Sequence, residues 1–161
     1  MRKILIFGNS GSGKSTLARD ICSANQLAHL DLDSIAWQHS SPPEREPIQK
    51  MAQLIDEFIT SNQGWVIEGC YTDLLELATG RATEIIFLNL PVEACISNAR
   101  NRPWERHKYV SKQAQDNNLQ MLLNWIGEYH DRDGPFSYAA HQKFYDSFAG
   151  SKTMYASNDK D

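Results

Sequence analysis

The chain has 161 residues, of which 41% are hydrophobic and 22% charged, and its formal net charge at pH 7 is −4. This composition is that of one globular domain and excludes a disordered or fibrous protein, and no run approaches the roughly 20 apolar residues that a membrane-spanning helix needs. The acidic balance argues against binding to duplex DNA, which usually requires a concentrated basic surface.

The first predicted element is a buried strand at residues 4–7, which are all apolar and are followed by a glycine. The next eight residues, GNSGSGKS at 8–15, fit the phosphate-binding pattern G-x-x-x-x-G-K-[ST] at every required position. Glycines allow a tight turn whose backbone N–H groups point at one phosphate, and the following helix adds the positive end of its dipole. The pattern predicts nucleotide binding by Gly8, Asn9, Ser10, Gly11, Ser12, Gly13, Lys14, Ser15 and Thr16.

Two side chains of this loop have predicted chemical roles. We expect the Lys14 ammonium group to contact the β- and γ-phosphates, where it would act in catalysis. We expect the Ser15 hydroxyl to ligate Mg²⁺. The predicted cofactors are therefore ATP and Mg²⁺.

Strands and helices alternate along the rest of the chain, with a polar, proline-broken loop at 40–47 and a turn at 131–135. Further strands are predicted at 27–33, 65–67, 85–90 and 152–156, and helices at 48–59, 73–79, 92–102 and 137–148. A long helix is predicted before the last of these, with an apolar face that includes Leu119, Leu122, Leu123 and Ile126. This alternation predicts an α/β three-layer sandwich with a five-stranded parallel sheet, the P-loop nucleoside triphosphate hydrolase/kinase fold. Residues 1–161 would form a single domain.

Acidic side chains follow two of the predicted strands, at the edge where parallel sheets bind their ligands. Asp33 is the candidate that orients an acceptor hydroxyl group or takes its proton, and Asp31 would hold Mg²⁺ through water. The alternative is that both are turn or helix-capping acids. Glu68 would hold a metal-bound water or a substrate group, or would be an ordinary solvated acid at the end of a strand.

Three features resemble the small nucleoside-monophosphate-kinase and shikimate-kinase group. The D-L-D stretch at 31–33 looks like the D-x-D of shikimate- and gluconate-type kinases, and the Glu-Gly pair at 68–69 stands where monophosphate kinases carry Asp-Gly. The Arg-Pro pair at 102–103 is similar to the one that opens the lid of shikimate kinases. Residues 3–110 as a whole are similar to small bacterial P-loop proteins labelled adenylate-kinase-related or DNA-topology-modulation proteins.

The resemblance implies a lid around 100–112 and an acceptor-binding segment around 34–62. In the lid, Arg102 would act in catalysis and Arg100 and Arg106 would contact the nucleotide, because guanidinium groups neutralise charge on a transferring phosphoryl group. The alternative for these arginines is an exposed basic helix end. The implied substrate-binding residues are Asp33, Trp37, Glu68, Gly69 and Tyr71.

Other classes of nucleotide-binding protein fit the sequence less well. The N-K-x-D sequence with which switch GTPases recognise guanine is absent, and Asn89 stands where large motor ATPases carry an acid after a long strand. Two departures leave the acceptor open: Cys70 and Tyr71 replace the glycine triplet of shikimate kinases, and Thr72 and Asp73 follow where adenylate kinases have Phe-Pro-Arg.

The predicted function is transfer of the γ-phosphoryl group of Mg-ATP to a small acceptor, either a shikimate-like hydroxyl metabolite or a nucleoside monophosphate. The alternative is a nucleotide-binding regulatory protein, like the DNA-topology-modulation proteins, without metabolic kinase activity. The expected partner is the small-molecule acceptor, and we expect no membrane or nucleic-acid partner. The expected oligomeric state is a monomer or weak dimer. The three widely spaced cysteines favour free thiols and a cytoplasmic location.

Overall fold

The computed structural model describes residues 1–38 and 44–159. The predicted loop at 40–47 and the implied acceptor-binding segment at 34–62 therefore lie partly outside the described residues. The turn predicted at 131–135 is present, and it joins the last two helices.

The described residues form one parallel sheet of five strands, as predicted. The strands are β1 (Lys3–Gly8), β2 (Ala28–Asp31), β3 (Trp65–Glu68), β4 (Glu84–Leu88) and β5 (Ser151–Tyr155). Their spatial order is β2-β3-β1-β4-β5, and every neighbouring pair is parallel. The segment predicted as a last edge strand is indeed the edge strand β5.

Seven α-helices and one short 3-10 helix at Thr79–Arg81 accompany these strands in the described chain. The α-helices are α1 (Lys14–Asn25), α2 (Asp33–Ala36), α3 (Ile48–Ser61), α4 (Thr72–Glu76), α5 (Val92–Arg100), α6 (Lys112–Gly127) and α7 (Tyr138–Ser147). The residues at 101–111 join α5 to α6 without forming a helix or a strand. We call them the closing segment.

The central strand β1 explains the three layers. Its residues Ile4, Leu5, Ile6 and Phe7 are fully buried, and successive side chains of a strand point to opposite faces. Leu5 and Phe7 pack into a core with residues of α3, α4 and α7, whereas Ile4 and Ile6 pack into a second core with α1, α5 and α6. Helices thus cover both faces of the sheet, and the predicted three-layer sandwich is confirmed.

The second strand ends two residues earlier than the sequence predicts. Asp33 begins α2 instead of ending β2, because the Asp31 carboxylate accepts a hydrogen bond from the Asp33 N–H at 2.9 Å and the Ser34 hydroxyl donates to the Asp31 carbonyl at 2.6 Å. Such side-chain bonds compete with the sheet and start a turn. Both acids still lie at the carboxyl edge of the sheet.

The cysteines Cys22, Cys70 and Cys95 are free thiols, as predicted. Burial raises the pKa of Cys70 and of Cys95 to about 11, so both are protonated near neutral pH. No helix among residues 1–38 and 44–159 is long and apolar enough to cross a membrane.

Candidate functional site

The predicted phosphate loop lies between β1 and α1, packed against neighbouring backbone. Gly11 and Gly13 have φ angles of 78° and 91°, in the left-handed region that favours glycine. A Cβ atom on Gly11 would lie 2.5 Å from the Cys95 carbonyl oxygen, and one on Gly13 would lie 2.7 Å from the Asn158 side-chain nitrogen. Gly11 is therefore required both by the turn and by the close backbone carbonyl, whereas Gly13 is required mainly by the turn, because the Asn158 side chain can move.

The two polar side chains that follow the loop's last glycine are both hydrogen-bonded. The Lys14 ammonium group donates to the Asn9 carbonyl at 2.8 Å, which holds the lysine across the loop. The Ser15 hydroxyl donates to the carboxylate of Glu68 at 2.6 Å. Since β3 pairs directly with β1, the end of β3 brings Glu68 beside the loop.

Glu68 is the strand-end acid that contacts the predicted metal ligand. It is 2% exposed, and its oxygen Oε2, which accepts from Ser15, also lies 3.0 Å from His29 Nε2. Among the described residues, no three or more His, Cys, Asp or Glu side chains gather as a metal-binding group. The oxygen donors of Ser15 and Glu68 still suit Mg²⁺, which usually keeps several waters and takes one or two protein ligands beside phosphate oxygens.

The two aspartates of the D-L-D stretch differ in their electrostatics. The pKa of Asp31 is raised by burial and by repulsion from Glu68 and Asp33, and this rise is only partly offset by Lys108. Burial alone would raise the pKa of Asp33 as well, but the charge of Lys108 and the hydrogen bond from Tyr71 lower it below its ordinary value. Asp33 is therefore ionised at neutral pH and is a weak proton acceptor.

Lys108 of the closing segment crosses the cleft to these acids. Its ammonium nitrogen lies 2.9 Å from Asp33 Oδ2, 3.8 Å from Asp31 Oδ2 and 3.7 Å from Glu105 Oε2. Burial would lower the pKa of Lys108, but the charges of Asp33 and Asp31 raise it above its ordinary value. In the same segment Arg102 pairs with Glu105 at 2.9 Å.

Two aromatic residues complete the surroundings of Asp33. The indole N–H of Trp37 donates to the Tyr71 hydroxyl at 2.8 Å, and that hydroxyl donates to Asp33 Oδ1. The rings of Trp37 and Tyr71 meet edge to face, with centroids 6.5 Å apart. A continuous chain of hydrogen bonds thus runs from Trp37 through Tyr71 and Asp33 to Lys108.

A cleft of about 470 Å³ brings most of the predicted site residues together. The predicted residues that line it are Ser10, Gly11, Gly13, Lys14, Ser15, Asp33, Trp37, Glu68, Gly69, Tyr71 and Arg102. Among the described residues that line this cleft, Arg100 and Arg106 are absent. Arg100 is exposed at the end of α5, and Arg106 stacks over the ring of Trp104 at 4.8 Å.

A second cleft, of about 600 Å³, lies on the other side of the loop and also includes Arg102, as well as Thr16. Two asparagines tie its walls to the phosphate loop. Asn98 donates to the Gly11 carbonyl and to the Asn158 side chain, at 2.8 Å each, and Asn158 donates to the Ser12 carbonyl at 2.9 Å.

Several residues of the site were missed by the sequence predictions. Lys108 lies in the basic run of the lid, and that charge was the one signal that could have found it. Trp125 lines the first cleft, although its helical spacing is equally typical of core packing. Asn98 and Asn158 are 60 positions apart, and no local pattern connects them.

This fold and this loop define the chain as a nucleotide-binding P-loop protein of the kinase-like kind. The model of the AAA domain family (AAA_18) matches residues 4–119, which is well over half of the chain. The chain therefore belongs to the AAA domain family, and the predicted likeness to adenylate and shikimate kinases is confirmed by the following comparisons.

Curated relatives match most of the chain at low identity. The uncharacterized protein YqaC of Bacillus subtilis is 26% identical over 130 residues, which are 80% of this chain and 72% of that protein. An adenylate kinase of Prochlorococcus marinus is 26% identical over 149 residues, covering 83% of this chain and 81% of that protein.

Solved structures share the fold along nearly the whole chain. A shikimate kinase from Acinetobacter baumannii, in complex with shikimate, has a TM-score of 0.59 and 15% identity, covering 99% of this chain and 86% of that one. A sugar kinase from Janibacter has a TM-score of 0.52 and 13% identity, covering 97% and 85%. At these identities the likeness establishes the fold.

Proposed function

We propose that the chain is an ATP-dependent phosphotransferase that moves the γ-phosphoryl group of Mg-ATP to a hydroxyl group of a small acceptor. The observation that carries the proposal is the placement of Asp33. This ionised acid lines the same cleft as Lys14 and Ser15, and Tyr71 and Lys108 hold its two oxygens. A carboxylate so placed can accept a hydrogen bond from an acceptor hydroxyl.

The donor half of the reaction rests on the phosphate loop. The backbone N–H groups of 8–15 and the Lys14 ammonium group would bind the phosphates, and the Ser15 hydroxyl would ligate Mg²⁺. Bound Mg²⁺ supplies a positive charge that neutralises the phosphate oxygens. We assign the orientation of its water ligands to Glu68, because Glu68 contacts Ser15 whereas the carboxylate of Asp31 contacts the Asp33 N–H.

The acceptor half rests on Asp33 and on the closing segment. Because its pKa is lowered, Asp33 acts mainly by orienting the hydroxyl group, and phosphoryl transfer with a loose transition state needs little more. Arg102 lines both clefts, so its guanidinium group can reach the junction between donor and acceptor. Residues 100–112 would serve as the lid, and the described part of 34–62 would supply Trp37.

The kinases among the relatives favour this function over the regulatory alternative. Both ends of the proposed reaction also meet within one cleft, which a protein that only holds a nucleotide does not need. Free thiols fit the cytoplasmic location that the sequence predicts, and the oligomeric state remains a prediction.

A coupled ADP-release assay over hydroxyl metabolites and nucleoside monophosphates tests the proposal. We expect one acceptor class to raise turnover well above slow ATP hydrolysis. Asp33→Asn should abolish this stimulation and leave ATP binding intact, whereas Asp116→Asn, on an exposed turn of α6, should change neither. If no acceptor stimulates ADP release, the kinase proposal is wrong, and if Asp33→Asn also loses ATP binding, Asp33 has a structural role.

A further inference from the structure

The acceptor end of the cleft has an aromatic wall. Trp37, Tyr71, Phe136 and Trp125 all line it, and they contact one another in that order. The ring centroids are 6.5, 5.2 and 5.7 Å apart, with interplanar angles of 63°, 77° and 67°. Trp37 is 40% exposed and Phe136 and Trp125 are half-buried, so these three rings keep surface for a planar ligand, whereas the Tyr71 ring is buried and supports them.

Helix α6 adds an apolar face to the same wall. Asn118, Met121, Leu122 and Trp125 follow the i, i+3, i+4, i+7 spacing of one helical face, and all four line the cleft. Met121 is 71% exposed and points into the opening, whereas Leu122 is half-buried and also packs against the second core. The one polar member, Asn118, donates to the Tyr109 hydroxyl at 2.8 Å.

The positive charges at the cleft are already engaged. In the described chain the cationic residues that line it are Lys14, Arg102 and Lys108. Lys14 belongs to the phosphate loop, Lys108 pairs with Asp33, and Arg102 pairs with Glu105. An acceptor that carries its own phosphate would have to break one of these pairs.

Two more arginines lie behind the aromatic wall and hold it in place. The Arg45 guanidinium carbon is 5.0 Å from the Tyr71 ring centroid, and its Nη2 pairs with Asp73 at 3.2 Å. The Arg132 guanidinium carbon is 3.7 Å from the Trp125 ring centroid, and its Nε donates to the Phe136 carbonyl at 3.2 Å. Neither arginine lines the cleft, so both act on the rings and not on a bound acceptor.

We propose that the acceptor is an uncharged molecule that joins a hydroxyl-bearing part to a planar unsaturated ring, which is the chemistry of a nucleoside. The ring lies against the free surface of Trp37, Phe136 and Trp125, and the hydroxyl group donates to Asp33. A nucleoside monophosphate finds no free cation there, and a polyol leaves the aromatic surface uncovered. This inference rests on the phosphotransferase function proposed above.

The proposed step transfers the γ-phosphoryl group from ATP to the hydroxyl group of the acceptor. The hydroxyl oxygen of the acceptor forms the new bond to the γ-phosphorus, the bond from that phosphorus to the β,γ-bridging oxygen breaks, and its electron pair leaves with ADP. Asp33 orients the hydroxyl group by accepting its hydrogen bond, and the hydroxyl proton is released to water. The products are ADP and the phosphate monoester of the acceptor.

The test compares three acceptor sets in one ADP-release assay with the full chain: the four common ribonucleosides, their 5′-monophosphates, and the polyols shikimate and gluconate. We expect a nucleoside to raise ADP release about tenfold or more above the acceptor-free rate. Stimulation by polyols alone would overturn the nucleoside inference and leave transfer to a hydroxyl group standing. Stimulation by monophosphates alone would overturn both the nucleoside inference and the hydroxyl acceptor, and would leave an ATP-dependent phosphotransferase. Stimulation by none of the three sets would overturn both.

Substitutions of Trp37 test the aromatic contact itself. Trp37→Leu should raise the KM for the nucleoside about tenfold, and Trp37→Phe, which keeps a ring, should restore most of that loss. The KM for ATP should stay unchanged in both. Phe148→Leu is the matched control, because Phe148 lies outside this cleft, beside α7. Equal KM values for Trp37→Leu and the native chain would overturn the inference.

Discussion

The phosphate loop and the closing segment face one another across the cleft, but different interactions hold them. The loop is partly buried, with the Cys95 carbonyl packed close to Gly11, and the amides of Asn98 and Asn158 donate to the carbonyls of Gly11 and Ser12. The closing segment at 101–111 is hydrogen-bonded to Gln115 and Asn118 of α6, and its contact across the cleft is the Lys108–Asp33 ion pair. Both members of that pair are partly exposed, and such ion pairs contribute little stability, whereas the loop cannot shift without moving the backbone packed against it.

This difference suggests that the loop provides a fixed phosphate-binding site and that the closing segment opens to admit ligands. A loop that is already in place can bind phosphate without rearranging, which keeps the donor geometry constant. A partly exposed ion pair across the cleft can break at low cost, and regions that admit ligands are generally of this less stable kind. The following predictions test the contrast, beginning with the largest expected effect.

Removal of the loop lysine should have the largest effect. Lys14→Ala should lower turnover or ATP affinity about 100-fold or more, because an ammonium group beside the transferring phosphoryl is lost. Coupled ADP release measures turnover, and circular dichroism should show a retained fold. Lys112→Ala removes an exposed lysine of α6 that pairs with Asp116, and it should change little. Unchanged turnover and ATP binding in Lys14→Ala would refute the placement of the site.

The rigidity of the phosphate loop can be measured by comparing the free energies of unfolding of two glycine-to-alanine variants. Gly11→Ala and Gly134→Ala both place alanine at a positive φ, of 78° and 91°, but only at Gly11 does the new Cβ meet a neighbour, the Cys95 carbonyl at 2.5 Å. We expect Gly134→Ala to lower the free energy of unfolding by about 1 kcal/mol and Gly11→Ala by about 3 kcal/mol. Urea unfolding compares them, and equal losses would mean that the loop can shift.

Loss of the cross-cleft ion pair should show in the pH dependence. Lys108 lowers the pKa of Asp33, so Lys108→Met should raise that pKa and move the acid limb of the kcat profile to higher pH. We expect kcat at neutral pH to fall about tenfold, as expected for one charged contact. Lys112→Met, a substitution just outside the closing segment, is the control. An acid limb at the native pH would show that Lys108 does not act on Asp33.

Removal of the Asn158 side chain, which is hydrogen-bonded to both Asn98 and the Ser12 carbonyl, should have the smallest effect. Asn158→Ala removes one hydrogen bond to the Ser12 carbonyl and one from Asn98, and it should cost about 1 kcal/mol or a few-fold in ATP affinity. Asn25→Ala removes an amide that donates to the Ile21 carbonyl within α1, and it should leave ATP affinity unchanged. Titration calorimetry with ATP gives both values, and equal affinities in the two variants would contradict a positioning role for Asn158.

The parts of the molecule that follow from local pattern could be predicted from the sequence. The phosphate loop depends on spacing within 8–15, and the sheet follows from short apolar runs that alternate with helices. Parallel strands end at one edge, which is why the acids at Asp33 and Glu68 were expected near the loop.

The acceptor side of the site, which comprises the closing segment and the aromatic wall, depends on contacts between residues that are far apart in the chain. The closing segment has no regular structure, so its sequence does not indicate that Lys108, among several basic residues, reaches Asp33. The aromatic wall combines Trp37, Tyr71, Trp125 and Phe136, which come from four separate regions of the chain. The sequence pattern predicts that β2 ends at residue 33, but the strand ends at Asp31 because a local turn there competes with it.

The bond between Asn158 and the phosphate loop has a consequence for the timing of assembly. Ser12 precedes Asn158 by 146 positions, so synthesis at about 5–20 residues per second delivers the asparagine roughly 7–30 s after the loop. Strand β5 lies shortly before Asn158 in the chain, so it is synthesised after the other four strands. A growing chain therefore carries a complete nucleotide motif well before it can hold that motif in its final form.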